Sequence, residues 1–532
     1  MKKRLQVIEK CLIIFLILLI IYVGVVIIGY RRSDTAAVVG SRSKTMQLYS
    51  LKGTIYDKDL RALTNGERCY YLLVDPRGFA MENVKKLASC TQENESFLRE
   101  KLSKENVFLL QSTAKPESMG GVYVFEGIRR YSNIATHLIG YVDSQMNGIT
   151  GLEKSYDKQL SFFGGSKEIT FAADARRNPM IGLGVTVQGD EGSYKDGVIT
   201  TLNYSLQQTL ETSLEKHIEK GAAVVLDIES GEIRAISSVP EYDANHIDSY
   251  LNGVQGELIN RALREQTVGS VFKVVIAAAA IEAGLDDFSL NCSGSVTIDD
   301  LVFGCPKENG HGQMNLESAF AQSCNGYFIS LGQMLGTEKV MEMAGRLGFG
   351  ESIEIADGLF SWAGTMPNVT GQSAKQLANI SIGQGDLMAT PLQIARLLAV
   401  CGNGGYLLSP TCFQGFLVEG KVQAEKWVDY KTRVLEAEVA EKLRALCVAT
   451  VRDGTGKTAL PEKNGAGGKT SSAQTGVFLA DGSEVLNTYF AGFYPAQNPQ
   501  YAIAVFAEGG KSGGITCAPV FKEVCDFIAK ND

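Results

Sequence analysis

The spacing of apolar residues changes several times along this chain, and each change marks an element. Cys11–Tyr30 contains no charge; as a helix of twenty residues it rises about 30 Å, the depth of a hydrocarbon core. After a polar stretch, short apolar runs such as Tyr70–Val74 and Val122–Phe125 alternate with polar helical segments as far as Asp196. Beyond Val198 the pattern is more regular. Leu206, Leu210, Leu214 and Ile218 recur every four residues, with Asn203 ahead of them and Gly221 behind, which predicts a capped amphipathic helix with a glycine stop. Ala222–Ile228 and Glu232–Ser238 predict one β-hairpin, and Thr488–Tyr494 with Tyr501–Glu508 a second. Helices are expected over Val271–Ala283, Leu316–Leu335, Leu392–Val400 and Pro519–Lys530. An antiparallel sheet with a helical insertion, a mixed α/β fold, is the simplest assembly.

At 532 residues the chain exceeds one ordinary domain. Hydrophobic content of 45% with 21% charged residues is that of a globular protein able to bury a core. A net charge of −8 and the lack of any basic run argue against nucleic acid as a partner. Lys2, Lys3, Arg4 and Lys10 precede the apolar span and only Arg31 and Arg32 follow it, so the N-terminus is expected in the cytoplasm and the rest outside. Tyr30-Arg31-Arg32 stands where a cleaved signal would carry small residues, which points to a retained anchor. The expected division is a tail 1–10, a transmembrane anchor 11–30, a linker 31–52, an extended α+β module 53–196 and a larger domain 197–532. Eleven cysteines in so long a chain are no disulfide framework; Cys292 with Cys305, and Cys69 with Cys90, are near enough to pair, but sequence leaves pairing open. The four histidines, His137, His217, His246 and His311, are scattered and none has a spacing typical of zinc sites, so no metal and no cofactor is expected.

The candidate chemistry begins in Gln266–Glu282, QTVGSVFKVVIAAAAIE, where Lys273 is the one charge before Glu282. Residues three apart share a helix face, so the Lys273 amine can reach Ser270, and burial among Val, Ile and Ala favours a neutral amine able to take the serine proton. A capping Ser270 with a Lys273 that snorkels to the rim accounts for this stretch equally well. Ser323-Cys324-Asn325 places polar residues in an apolar stretch, where partners or a capping role are required. In Gly467–Gln474, read as an edge strand, Thr470 and Ser472 face one way and Lys469 and Ser471 the other, which suits a carboxylate and leaves free N–H groups for an oxyanion.

Ser-x-x-Lys, Ser-x-Asn and Lys-Thr-x, in that order within one domain, resemble the motifs of class B penicillin-binding proteins, the membrane-anchored peptidoglycan transpeptidases. The resemblance extends to Asn260-Arg261-Ala262, Gly383-Gln384-Gly385, Thr390-Pro391-Leu392-Gln393, Asp453-Gly454-Thr455-Gly456 and Ala518-Pro519-Val520-Phe521. Gly148-Ile149-Thr150-Gly151-Leu152-Glu153 is similar to the signature of the family's N-terminal pedestal. The resemblance implies a penicillin-binding transpeptidase fold, an antiparallel sheet flanked by helices with a helical subdomain, above that pedestal. It implies Ser270 as the nucleophile on the penultimate D-Ala carbonyl of a peptidoglycan stem peptide and Lys273 as its base. Ser323 would relay a proton to the departing D-Ala and Asn325 would bind the donor backbone. Lys469 would supply positive field, Thr470 and Ser472 would bind the terminal carboxylate, and the N–H groups of Ser270 and Ser472 would form the oxyanion hole. An amine of a second stem peptide then completes the cross-link. β-Lactams would acylate Ser270, and a membrane glycosyltransferase is the implied partner, since no such domain is expected within the chain.

Two departures stand out. Lys469-Thr470-Ser471 replaces the usual Lys-Thr-Gly and adds a side chain expected to press on the Ser270 helix, tolerated by a small shift of the strand. Lys52-Gly53-Thr54-Ile55-Tyr56-Asp57-Lys58-Asp59-Leu60 departs from the pedestal's usual pattern. A catalytically silent scaffold, motivated by Ser471, is one rival reading; a serine β-lactamase or β-lactam sensor is another.

Overall fold

Small and β-branched residues at alternate positions let one sheet be covered on both faces, and its strands define the larger part of the molecule. The computed structural model describes residues 16–23, 43–91, 93–104, 106–173, 180–181, 184–368, 371, 373–425, 431–479 and 481–531. Five strands lie in the order Ile233–Val239, Gly221–Asp227, Tyr501–Glu508, Glu484–Tyr494, Gly467–Phe478, with every neighbouring pair antiparallel. Both expected hairpins are present, and Gly467–Phe478 is an edge strand. Ala223, Val225, Ile503 and Val505 face one side, where they pack with Leu206, Leu210 and Leu214 of the helix Tyr204–His217 and Val520, Phe521 and Val524 of the helix Ala518–Asn531. Ala222, Val224, Leu226, Ala504 and Phe506 face the other, in one cluster with Ile394, Leu397 and Leu398 of the helix Pro391–Gly402. The period of two along each strand thus sorts one apolar run into two cores.

Local signals fix the start of two helices that pack on the large sheet. The Asn203 side chain accepts the Leu206 N–H at 3.0 Å, as an N-cap does. Thr390 and Gln393 form a reciprocal capping box with Pro391 in the first turn. Two expectations need correction. The helix after Asn203 ends at His217 because Ile218 turns to an extended backbone and buries its side chain; Gly221 is the first residue of the next strand. The stretch Leu316–Leu335 is two helices, Leu316–Ala321 and the first part of Asn325–Arg346, separated at Gln322–Cys324 where Ser323 has φ of +57°; the later part is set off by a non-helical Gly336 with φ of +79°. Apolar periodicity runs through the break because residues on both sides of it are buried.

By its internal contacts the chain divides into two units, 1–51, 68–129 and 164–192 against 52–67, 130–163 and 193–532. In the first, the strand Phe108–Ser112, residues 68–74 of the strand Thr64–Val74, residues 122–129 of the strand Val122–Tyr131 and the helices Val84–Thr91 and Glu95–Ser103 enclose Leu72, Val74, Val84, Leu87, Leu98, Leu102 and Leu110. Ser43–Leu51, expected as linker, is a strand paired antiparallel with Gly165–Ala172, with Leu48, Tyr49 and Leu51 buried. Residues 16–23 form a helix; the rest of the expected anchor, the tail and residues 31–42 lie outside the described residues. Among the described residues no helix is long and apolar enough to cross a membrane.

In the second unit, residues 130–163 join the same apolar core as the large sheet through Tyr131, Ile134, Leu138, Leu152, Tyr156 and Leu160. Glu153 of the Gly148–Glu153 signature is buried there. It accepts from Arg130 Nε and Nη2 at 2.9 and 2.7 Å and from the Tyr131 hydroxyl at 3.1 Å, with Lys52 Nζ 3.6 Å away. Glu153 is thus the counter-charge of Arg130, while Lys52 also donates to the Asp157 carboxylate. Glu153→Ala should lower stability by about 3 kcal/mol or more, since it leaves the buried Arg130 guanidinium without its counter-charge, whereas Lys52 keeps Asp157; a thermal or urea melt indistinguishable from wild type would contradict this role.

Candidate active site

The serine singled out by sequence sits on a turn made by two interlocked glycines. Gly269–Phe272 is a 3₁₀ turn that runs directly into the helix Lys273–Glu282, and Ser270, half-buried, is its second residue. Gly269 has φ of +61° and donates its N–H to the Gly383 carbonyl at 2.8 Å. Gly383 has φ of +72°, and a Cβ there would fall on the Gly269 carbonyl. Only glycine meets both requirements, so the Gly383-Gln384-Gly385 run fixes the backbone just before Ser270.

Lys273 opens a helix buried from Lys273 through Ile281. Its amine reaches the Ser323 carbonyl at 2.8 Å, Asn325 Oδ1 at 2.7 Å and the Ser323 hydroxyl at 3.1 Å. None of these bonds goes to Ser270, the partner expected from helix spacing. The reason lies in the broken helix: Ser323 and Asn325 present three oxygens to the amine. Burial pushes the Lys273 pKa down to about 7, while the nearby Cys305 and Cys324 act in the opposite direction. Asn325 Nδ2 donates to the Gly304 carbonyl at 2.8 Å, which turns Oδ1 toward the amine. Two of the three partners can only accept. A neutral amine therefore spends both N–H groups on them, and its lone pair is left for a hydroxyl proton.

The edge strand supplies the third group. Lys469 is fully buried, with its ammonium 5.5 Å from the centre of the Phe320 ring and donating to the Thr470 carbonyl at 3.3 Å. Burial, and then the charge of Lys273, push its pKa well down. An anion bound beside it would supply the counter-charge that the protein withholds. Thr470 is nearly buried and Ser472 exposed, so the strand presents Ser472 outward. Ser471 is buried on the other face and donates to the Val268 carbonyl at 2.8 Å. The added side chain thus meets the turn before Ser270, as expected, and does so through a hydrogen bond.

Sequence reasoning assigned no role to Thr455 of Asp453-Gly454-Thr455-Gly456. Its N–H donates to the Ala321 carbonyl at 3.0 Å and its hydroxyl lies 2.6 Å from that of Thr470. The loop therefore ties the break before Asn325 to the edge strand, and the four-residue run was its visible signal. A second result reverses an expectation: Cys292, Cys305, His311 and Cys324, from which no metal cluster was foreseen, place one ligand atom each within 4.8 Å of one another. Their spacing, Cys-x12-Cys-x5-His-x12-Cys, has no short Cys-x-x-Cys step, and only the folding of the segment brings them together. The Cys292 and Cys305 sulfurs are 3.7 Å apart and not bonded as a disulfide, and Cys69 and Cys90 form no disulfide either.

Residues 221–526 match the penicillin binding protein transpeptidase domain. The chain belongs to the penicillin-binding protein transpeptidase family. Stage V sporulation protein D of Bacillus subtilis is 27% identical over 91% of this chain and 79% of its own length. Peptidoglycan D,D-transpeptidase MrdA of Acinetobacter baumannii is also 27% identical, over 76% of this chain and 67% of its own. In fold the chain is similar to penicillin binding protein 3 of Mycobacterium tuberculosis, solved with aztreonam, at a TM-score of 0.65 and 22% identity over 92% of this chain and 97% of that one. The transpeptidase domain brings together Ser270, Lys273, Ser323, Asn325 and the strand of Lys469, Thr470 and Ser472. Ser471→Gly should cost about 1–2 kcal/mol of stability through the lost hydrogen bond and the freer backbone, with penicillin acylation changed less than about tenfold. Stopped-flow acylation that accelerates by orders of magnitude in this variant would mark Ser471 as a brake on the natural enzyme.

Proposed function

We propose that this chain is a peptidoglycan D,D-transpeptidase whose catalytic unit lies outside the cell, tethered by the apolar span 11–30. The observation that carries the reaction is the buried Lys273 amine held by Ser323 and Asn325 one helical turn after Ser270. Ser270 Oγ attacks the carbonyl of the penultimate D-Ala and its proton passes to Lys273. The Ser270 and Ser472 N–H groups receive the oxyanion. Thr470 and Ser472 hydroxyls bind the terminal carboxylate, whose charge favours the ammonium form of Lys469. As the C–N bond breaks, Ser323 hands the proton from Lys273 to the departing D-Ala amine. Asn325 keeps a second Nδ2 hydrogen for the donor peptide backbone. An amine of a neighbouring stem peptide then attacks the acyl carbon, Ser270 regains its proton, and a cross-link replaces the released D-Ala. A β-lactam enters by the same first step. The anchor rests on the uncharged run and its flanking charges, and a membrane glycosyltransferase supplying glycan strands is the expected partner.

Membranes carrying the full chain should show a band labelled by fluorescent penicillin that is absent in Ser270→Ala and persists for hours in the wild type. No labelled wild-type band would favour a silent scaffold, and rapid loss of label a β-lactamase. The label should also stay with membranes in the wild type and leave them when residues 1–32 are removed. The acylation rate should climb as pH passes about 7 and level off above it, because the Lys273 amine loses its proton there. Lys469 and the Cys305 and Cys324 thiols are the titratable groups that bear on Lys273 in this site. A rate independent of pH between 5.5 and 9 would remove Lys273 as the base.

A further inference from the structure

The transpeptidase reaction makes no use of the cluster behind the Ser323–Asn325 break. Cys305 Sγ lies 3.7 Å from Cys292 Sγ and 3.6 Å from Cys324 Sγ, and His311 Nδ1 lies 3.5 Å from both Cys292 and Cys305 sulfurs. All four ligand atoms are within 4.8 Å of one another. A tetrahedral zinc ion with Zn–S near 2.3 Å and Zn–N near 2.0 Å places its sulfurs about 3.8 Å apart and sulfur and nitrogen about 3.5 Å apart. The four separations of Cys292, Cys305 and His311 from one another and of Cys305 from Cys324 match edges of that tetrahedron. A disulfide requires about 2.05 Å and would leave one of the three thiols over.

We propose that Cys292, Cys305, His311 and Cys324 bind one structural zinc ion that holds the Ser323–Asn325 turn in its working position. The ligands come from separate pieces of a segment with little core of its own. Cys292 ends a three-residue strand paired with Gly312–Met314, next to His311. Cys305 follows the two-stranded ribbon Ser295–Ile298 and Leu301–Gly304, and its N–H donates to the Gly294 carbonyl at 2.8 Å. Cys324 is the N-cap residue of the helix Asn325–Arg346. The three cysteines are buried and His311 half-buried, so the set is closed, as four-ligand structural sites are. Outer hydrogen bonds are in place: the Asn325 N–H points at Cys305 Sγ at 3.2 Å, and the Gly326 and Tyr327 backbone N–H groups serve Cys305 and Cys324. Binding releases three thiol protons to solvent and changes no oxidation state.

The ion would grip the active-site turn twice. Cys324 lies between Ser323 and Asn325, and Cys305 follows Gly304, whose carbonyl orients the Asn325 amide. The ligands are thus positioning residues that act through Ser323 and Asn325; this part rests on the transpeptidase reading, whereas zinc binding does not.

Full-length protein purified without chelator should carry one zinc per chain by elemental analysis. Replacement by cobalt(II) should give the thiolate-to-metal absorption of a tetrahedral three-sulfur site. Cys292→Ala should lose the ion and slow penicillin acylation about tenfold or more, and Cys292→His should restore both. Zinc-free protein with a Cys292–Cys305 or Cys305–Cys324 disulfide by mass spectrometry would overturn the proposal, as would one full zinc equivalent retained by Cys292→Ala. The cobalt spectrum is read on the wild-type chain, so a variant that fails to fold leaves the proposal decided. Zinc in a chain that penicillin does not label would sink the transpeptidase reading alone.

Discussion

A single buried amine organises the catalytic unit. The helix Lys273–Glu282 is apolar enough to belong wholly to the core, and an isolated ammonium there would cost several kcal/mol. The protein answers by breaking a neighbouring helix at Gln322–Cys324, so that Ser323 and Asn325 offer the amine three oxygens. Ser323 takes a left-handed backbone at a cost of about 1 kcal/mol in doing so. The break is therefore the structural counterpart of the lysine.

The surrounding architecture keeps that arrangement to a narrow geometry. The Gly269 and Gly383 backbones interlock ahead of Ser270, and Asp453–Gly456 joins the end of the helix Leu316–Ala321 to the edge strand through Thr455. Behind them, the sheet's central strands are covered on both faces, and the edge strand Gly467–Phe478 carries the sheet's contribution to the site. Function sits where the sheet runs out of neighbours.

Much of this was legible from residue pattern because local and tertiary demands agree. Leu206, Leu210 and Leu214 share a helix face that is buried, and Ala222–Leu226 and Ala502–Ala507 are apolar throughout because both faces of the sheet are packed. What escaped prediction depends on contacts distant in sequence. Nothing in AFAQSCNGYF marks a helix break, because the apolar period continues across it and its cause is Lys273, fifty residues upstream. The strand Ser43–Leu51 read as linker since its exposed positions carry Ser43, Thr45 and Gln47. The Cys292, Cys305, His311 and Cys324 cluster needs two ribbons and a helix cap to exist at all. Ser270 and Lys273 gained their meaning from the order of the later motifs more than from their own spacing.

The hydroxyl of Ser471 also sets a dimension. The two N–H groups assigned to the oxyanion belong to separate elements, Ser270 on the 3₁₀ turn and Ser472 on the edge strand. The bond from Ser471 to the Val268 carbonyl staples those elements one and two residues away. The spacing of the turn and the strand is thereby held by a side chain, where a glycine would leave it to backbone packing alone. Ligands narrow enough to leave the strand in place meet a site already set to size, whereas one bulky enough to swing the strand outward must first break that staple.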